Sequence, residues 1–151
     1  MSDTDTDSDT EHFRRLERMF HDAPCNQAYE HVDLTVGRGE AELVLRAEES
    51  MHHPGGGVHG TYYFKLLDDA AFFAANSLVE DVFVLTTEFN LYLERPVSTG
   101  DMVAHGEVVN DNPRQLLAEA VVHDADGNEI ARGTGSFSRS SVELDESIGY
   151  R

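Results

Sequence analysis

The chain reads as one α+β domain in which a curved antiparallel sheet wraps around a single long central helix. Three observations predict this. The stretch from Gly60 to about Leu78 is apolar on nearly every side, so it must be covered on nearly every side. Runs with a period of two flank it, two before and four after, which is strand spacing. The runs are joined by short turn signals, Gly37-Arg38-Gly39 and Asp126-Gly127 among them, which connect antiparallel neighbours rather than parallel ones. At 151 residues the chain suits one domain with a substantial core.

In chain order, "MSDTDTDSDT" is polar, acidic and free of aromatics, which predicts a disordered segment over residues 1–10. "EHFRRLERMFHD" spaces Phe13, Leu16, Met19 and Phe20 at helical intervals, predicting a short amphipathic helix over 11–22 that Pro24 ends. The main domain is expected over 29–140. "YEHVDLTVGRGEAELVLRA" alternates on both sides of its glycine turn and reads as a strand pair. "MHHPGGG" is a loop, and the long helix follows. In "VFVLTTEFNLYLERPV", strict alternation sets Phe83, Leu85, Thr87, Phe89, Leu91 and Leu93 on one face, with Val84, Thr86, Glu88 and Asn90 on the other. "DMVAHGEVV", "QLLAEAVVHDAD" and "NEIARGTGSFSRS" complete the strands. Residues 141–151 read as a surface tail.

Charge narrows the function classes. Asp and Glu outnumber Lys and Arg by 29 to 11, a formal net charge of −18, and Lys65 is the only lysine. So much like charge repels itself in dilute buffer, whereas molar salt shortens the Debye length to about 3 Å. A salt-rich, halophilic cytoplasm is therefore expected. The same balance argues against nucleic-acid binding, which requires a basic footprint. No apolar run approaches the ~20 residues of a membrane span, and the acidic start lacks the apolar core of a secretory signal, so no membrane partner is expected. The one cysteine, Cys25, excludes a disulfide within the chain and is expected to be a small, partly buried side chain.

Two adjacent acids, Asp68 and Asp69, interrupt the apolar helix, and "HHPGGGVHG" precedes it. Together with "TTEFNLYLERPVSTGD" and "DADGNEIARGTGSF", these stretches resemble the hotdog-fold acyl-CoA thioesterases of the PaaI type, over roughly residues 29–140. The resemblance implies a homodimer or a dimer of dimers, acyl-CoA as substrate and no cofactor. It matches His59 and Gly60 to the family's His-Gly at the helix start. Asp68, nine residues after His59, falls on the family's acid, and Thr86 on a Ser or Thr of the following strand. Two positions depart from the pattern: Thr61 replaces a second glycine, and His53 stands where the family carries Asn or Gln.

Physical chemistry assigns roles to these residues. The backbone N–H of Gly60, at the positive end of a helix dipole, suits an oxygen gaining negative charge, and glycine lets a substrate come close. A carboxylate on an apolar helix must face a polar site, because burying it unpaired costs several kcal/mol. With the resemblance, Asp68 reads as general base or nucleophile; on burial alone it could equally be an acid hydrogen-bonded for structure at a dimer seam. The eight residues from Gly60 to Asp68 span about 12 Å, too far for both to act on one carbonyl. Two helices packed antiparallel about a two-fold axis would bring Asp68 of one chain to the helix start of the other. Asp69 points ~100° away, within reach of Lys65, and is expected at a solvent edge. His53, Thr61 and Thr86 are expected to contact substrate, with His59 fixing the loop. His52, His53 and His59 lack metal-ligand spacing, so no metal is expected. Arg114 and Arg132 are candidates for coenzyme A phosphates, and Tyr62, Tyr63, Phe72 and Phe73 for an acyl pocket. The alternatives are a hotdog hydroxyacyl-thioester dehydratase and a non-catalytic acyl-thioester binder.

Overall fold

The computed structural model describes residues 5–151. Two helices, α1 (Asp7–Asp22) and α2 (Gly60–Asn76), accompany six strands: β1 (Val32–Gly37), β2 (Glu40–Arg46), β3 (Val82–Leu93), β4 (Asp101–Asp111), β5 (Leu116–His123) and β6 (Glu129–Glu143). The strands form one sheet in the order β1-β2-β4-β5-β6-β3, antiparallel at every pairing. This is the expected α+β architecture: a curved sheet holding one long helix against its inner face, the hotdog fold.

The helix sits deep because both surfaces are small where they cross. Ala70, Ala71, Ala74 and Ala75 of α2 are fully buried. Opposite them, a Cβ on Gly106 of β4 would fall 2.3 Å from the carbonyl of Ala70, so only glycine admits the helix this close. Leu66 and Leu67 of α2 share the core with Leu43, Leu45, Met102, Leu116, Ile130 and Phe137 from the sheet.

Strand β3 corrects the strict alternation expected of it. Its pairing with β6 shifts register between Thr86 and Glu88, a β-bulge that moves the inward parity by one residue. Before the bulge the even residues face the helix: Val84 is fully buried and Thr86 reaches α2, while Leu85 is 49 % exposed. After it the odd residues Phe89 and Leu91 pack on the core.

Both ends of the chain are more ordered than expected. Residues 7–10, expected to be disordered, form the first turn of α1. Thr6 caps that turn, its side chain accepting from the Asp9 N–H while Asp9 accepts from the Thr6 N–H, a reciprocal capping box. Arg38 then ties Asp5 (2.9 Å) and Asp9 (2.6 Å) to the β1–β2 turn. Residues 1–4, which carried the rest of that expectation, lie outside the described residues. Nor is 141–151 a free surface tail: β6 continues to Glu143, and Leu144, Ile148 and Tyr150 pack against the core. Buried His12 locks this end. Its Nε2 donates to the Asn76 carbonyl at 2.9 Å, so its Nδ1 accepts from the Tyr150 hydroxyl at 2.7 Å.

Candidate active site

The helix start and the helix middle hold different chemical groups. At the start, the chain leaves a glycine-rich loop pinned by the Val58 N–H to the Val97 carbonyl (2.8 Å) and the His59 N–H to the Met51 carbonyl (2.9 Å). His59 is the N-cap of α2, its Nδ1 accepting from the Thr61 N–H at 3.0 Å. That bond uses the Thr61 donor. Among the described residues none accepts from the Gly60 N–H. A Cβ on Gly60 would lie 2.8 Å from Leu93 Cδ1, the tip of an exposed side chain of β3 that can turn aside. His53 is exposed, with its Nδ1 accepting from the Gly55 N–H at 3.0 Å. His52 Nε2 donates to the Ser98 carbonyl at 2.8 Å. Each of these imidazoles is thus engaged in shaping the loop. Among the described residues no group of three or more His, Cys, Asp or Glu side chains converges as metal ligands would.

About two helical turns on, Asp68 enters an apolar groove of about 510 Å³. Thr86 Oγ1 donates to Asp68 Oδ1 at 2.7 Å, a contact made possible by the even-inward parity ahead of the β3 bulge. Burial is the main force on this carboxyl and pushes its pKa up to about 6; the Thr86 hydrogen bond and the Lys65 charge oppose the rise, and Asp69 adds to it. The result is an acid that is mostly ionised at neutral pH yet far more basic than an exposed aspartate.

Asp69 is not at a solvent edge. It is 19 % exposed and pairs with Lys65, itself 20 % exposed, at 2.9 Å. Burial raises the Asp69 pKa against the pull of Lys65. Burial is the largest single influence on Lys65 and works to lower its pKa, but the charge and hydrogen bond of Asp69, with smaller help from Cys25 and Tyr29, together hold the ammonium above its usual range. The ammonium also lies over the rings of Phe20 (5.8 Å) and Tyr29 (5.6 Å). The pair lines the groove beside Asp68 because α1 and the turn after it lie along this side of α2. Cys25, expected to be partly buried, is exposed at the groove's rim.

The structure sorts the sequence-predicted residues into two groups. Asp68 and Thr86 meet; His53, His59, Gly60 and Thr61 gather at the helix start, and none of those four lines the groove. Phe72 and Phe73 do line it. Tyr63 instead is buried, donating to the Arg95 carbonyl at 2.9 Å, and Tyr62 stacks edge-on against Tyr29. Phe20 and Phe83, which sequence reasoning did not assign to a pocket, complete the aromatic wall. The apolar stripe of α1 was the available signal for Phe20. Arg132 is held by Glu129 at 2.7 Å.

A curved antiparallel sheet around one long central helix is the hotdog architecture, and comparison with known proteins agrees. The sequence profile of the thioesterase superfamily matches residues 55–131, about half of the chain, and the chain belongs to that superfamily. A Saccharolobus solfataricus protein named as a candidate esterase, SSO2140, is 24% identical over 127 residues, covering 82% of this chain and 89% of that one. A thioesterase family protein from Silicibacter pomeroyi shares the fold at a TM-score of 0.76 and 26% identity, over 84% of this chain and 96% of that chain. The E. coli PaaI protein of the phenylacetic acid degradation operon superposes at a TM-score of 0.80 with 17% identity, over 89% and 97%. Membership places this chain among thioester hydrolases. No described helix is long and apolar enough to cross a membrane.

Proposed function

We propose that the protein hydrolyses acyl-CoA thioesters to the free acid and coenzyme A, in a site built by two copies of the chain. One observation carries the reading: a half-buried acid of raised basicity and a helix-start amide without an acceptor among the described residues lie on one rigid helix, about 12 Å apart. A second copy closes that gap if the two α2 helices run antiparallel about a two-fold axis. Strand β3 supports such a pairing. It is a twelve-residue edge strand whose outer side is unpaired, and it exposes Leu85, Tyr92 and Leu93. Long apolar edges are pairing templates.

In this reading the Gly60 N–H of one protomer polarises the thioester carbonyl. Asp68 of the other takes a proton from water, whose oxygen attacks the carbonyl carbon. The tetrahedral oxyanion rests on the amide. The C–S bond then breaks, and the leaving thiolate receives the proton from Asp68. Direct attack by Asp68, giving an anhydride that water hydrolyses, uses the same groups. Thr86 orients the carboxylate, His59 holds the loop, and His53 and Thr61 flank the entrance.

Incubating the protein with a panel of acyl-CoAs and a thiol-detecting reagent tests the reading. Free thiol should appear with the wild type and not with Asp68→Asn, while both sediment as the same oligomer. Unchanged thiol release by Asp68→Asn, or a fully active monomer, would overturn it.

A further inference from the structure

The groove beside Asp68 is walled largely by parts of the chain outside the superfamily match. The match covers residues 55–131. Phe20 of α1, the turn Pro24–Asn26, and Val142 and Ile148 near the C-terminus all lie beyond it and all line the groove. We propose that these two terminal segments form a fixed wall that sets the acyl group the enzyme accepts, with Phe20 and Ile148 limiting its length. The inference rests on the thioesterase reading above and names the substrate class: an uncharged, apolar acyl group of short to medium length.

The wall is built, not draped. Its two segments are fastened to each other and to α2. The Tyr150 hydroxyl donates to His12, and His12 donates to the Asn76 carbonyl at the end of α2. Arg151 pairs with Asp22 at 2.8 Å, and Asn26 Nδ2 donates to the Phe20 carbonyl at 2.7 Å. Phe20 meets Phe73 of α2 edge-to-face, centroids 5.7 Å apart at 87°, and is itself 2 % exposed. A ring held this way cannot swing aside without breaking core contacts.

The lining also sets polarity. Apart from Asp68 and the Lys65–Asp69 pair, the walls are mostly apolar or aromatic. A terminal carboxylate on the acyl group would meet two aspartates, and Lys65, the one cation among the described lining residues, is already paired with Asp69. Its desolvation would go uncompensated. An apolar chain, by contrast, gains contact with every added methylene until it reaches Phe20.

Steady-state kinetics with butanoyl-, hexanoyl-, octanoyl-, dodecanoyl- and hexadecanoyl-CoA, plus succinyl-CoA, test the wall. For the wild type, kcat/KM should rise with length, pass through a maximum and fall, with succinyl-CoA poorest. In Phe20→Ala the ratio of kcat/KM for dodecanoyl- over hexanoyl-CoA should increase by about tenfold or more, the discrimination a few methylenes command in an apolar pocket, mostly through KM. Ile148→Ala, at a half-buried site, should shift the same ratio in the same direction and guards against a Phe20 variant that fails to fold. A flat wild-type profile, or two folded variants that leave the ratio unchanged, overturns the wall and leaves the thioesterase reading standing. No thiol release from any substrate by the wild type overturns the thioesterase reading and this inference with it.

Discussion

The start and the middle of α2 make opposite use of the same helix. At its start the proposed mechanism uses the backbone: Gly60 has no side chain, its N–H has no acceptor among the described residues, and the imidazoles around it are spent on holding the loop. In its middle the proposed mechanism uses a side chain, and the surroundings of Asp68, from the Thr86 hydroxyl to the phenylalanine walls, bear on that one carboxyl. Donors need openness so that a carbonyl can approach, whereas a base needs desolvation to become basic. One helix turn cannot supply both conditions. The proposed two-fold pairing would separate them along a rigid rod and reunite them through symmetry, satisfying each condition.

The hardest blow to this comparison comes from Asp68→Asn. Turnover should fall by about 10²–10⁴-fold, the usual worth of a general base. Stability should move the other way. The folded-state pKa of Asp68, about 6, lies above its ordinary value of 3.8. The native state therefore holds this proton more tightly, and the stability it confers below pH 3.8 is lost as pH rises through about 6. Removing the charge should raise stability at pH 7 by about 1–3 kcal/mol, read by a denaturant melt. A variant both inactive and less stable would mean that Asp68 is a structural acid.

Complementation addresses the two halves directly. Gly60→Pro should be inactive because it removes the N–H at the first helical position, where proline is tolerated after the extended His59, and mixing it with Asp68→Asn under subunit exchange should restore about a quarter of wild-type activity. Half of the random pairs are hybrids, and one of the two sites in each hybrid is intact. No recovery after verified exchange would place both groups on one chain's site.

Smaller effects refine the picture. Thr86→Val removes a hydrogen bond that holds the Asp68 pKa down, so the acid limb of the pH–kcat/KM profile, set near 6 in the wild type, should move to higher pH. The rate at pH 7 should fall several-fold, in keeping with the loss of about 1 kcal/mol. Salt should act on the surface and spare the groove. Melting temperature should climb by several degrees from dilute to molar KCl as exposed acidic charge is screened, while the acid limb barely moves. A melt indifferent to KCl would remove the case for salt adaptation.

Much of this was legible in the sequence. The apolar helix, its two acids and the alternating runs follow from periodicity, and the sheet assembled as those runs require. The illegible parts share one cause, dependence on contacts distant along the chain. The β3 bulge is a register mismatch with β6, invisible within "TTEF", yet it turns Thr86 toward Asp68. Asp69 reads as a surface residue until α1 is laid beside it. Tyr150 reads as a tail residue until His12 is found beneath it, 138 positions earlier. The first turn of α1 is the exception. Thr6 followed three residues later by Asp9 is a local capping signal, outweighed in the sequence reading by acidic composition.

Gly106 carries no reactive atom, yet the spacing between sheet and helix is set there. A methyl group at that position would act as a wedge beneath the midpoint of α2, tilting the amide at one end and the carboxyl in the middle through different arcs. The alignment that the proposed mechanism needs is therefore hostage to a position on a neighbouring strand, where the smallest possible substitution would be felt throughout the rod.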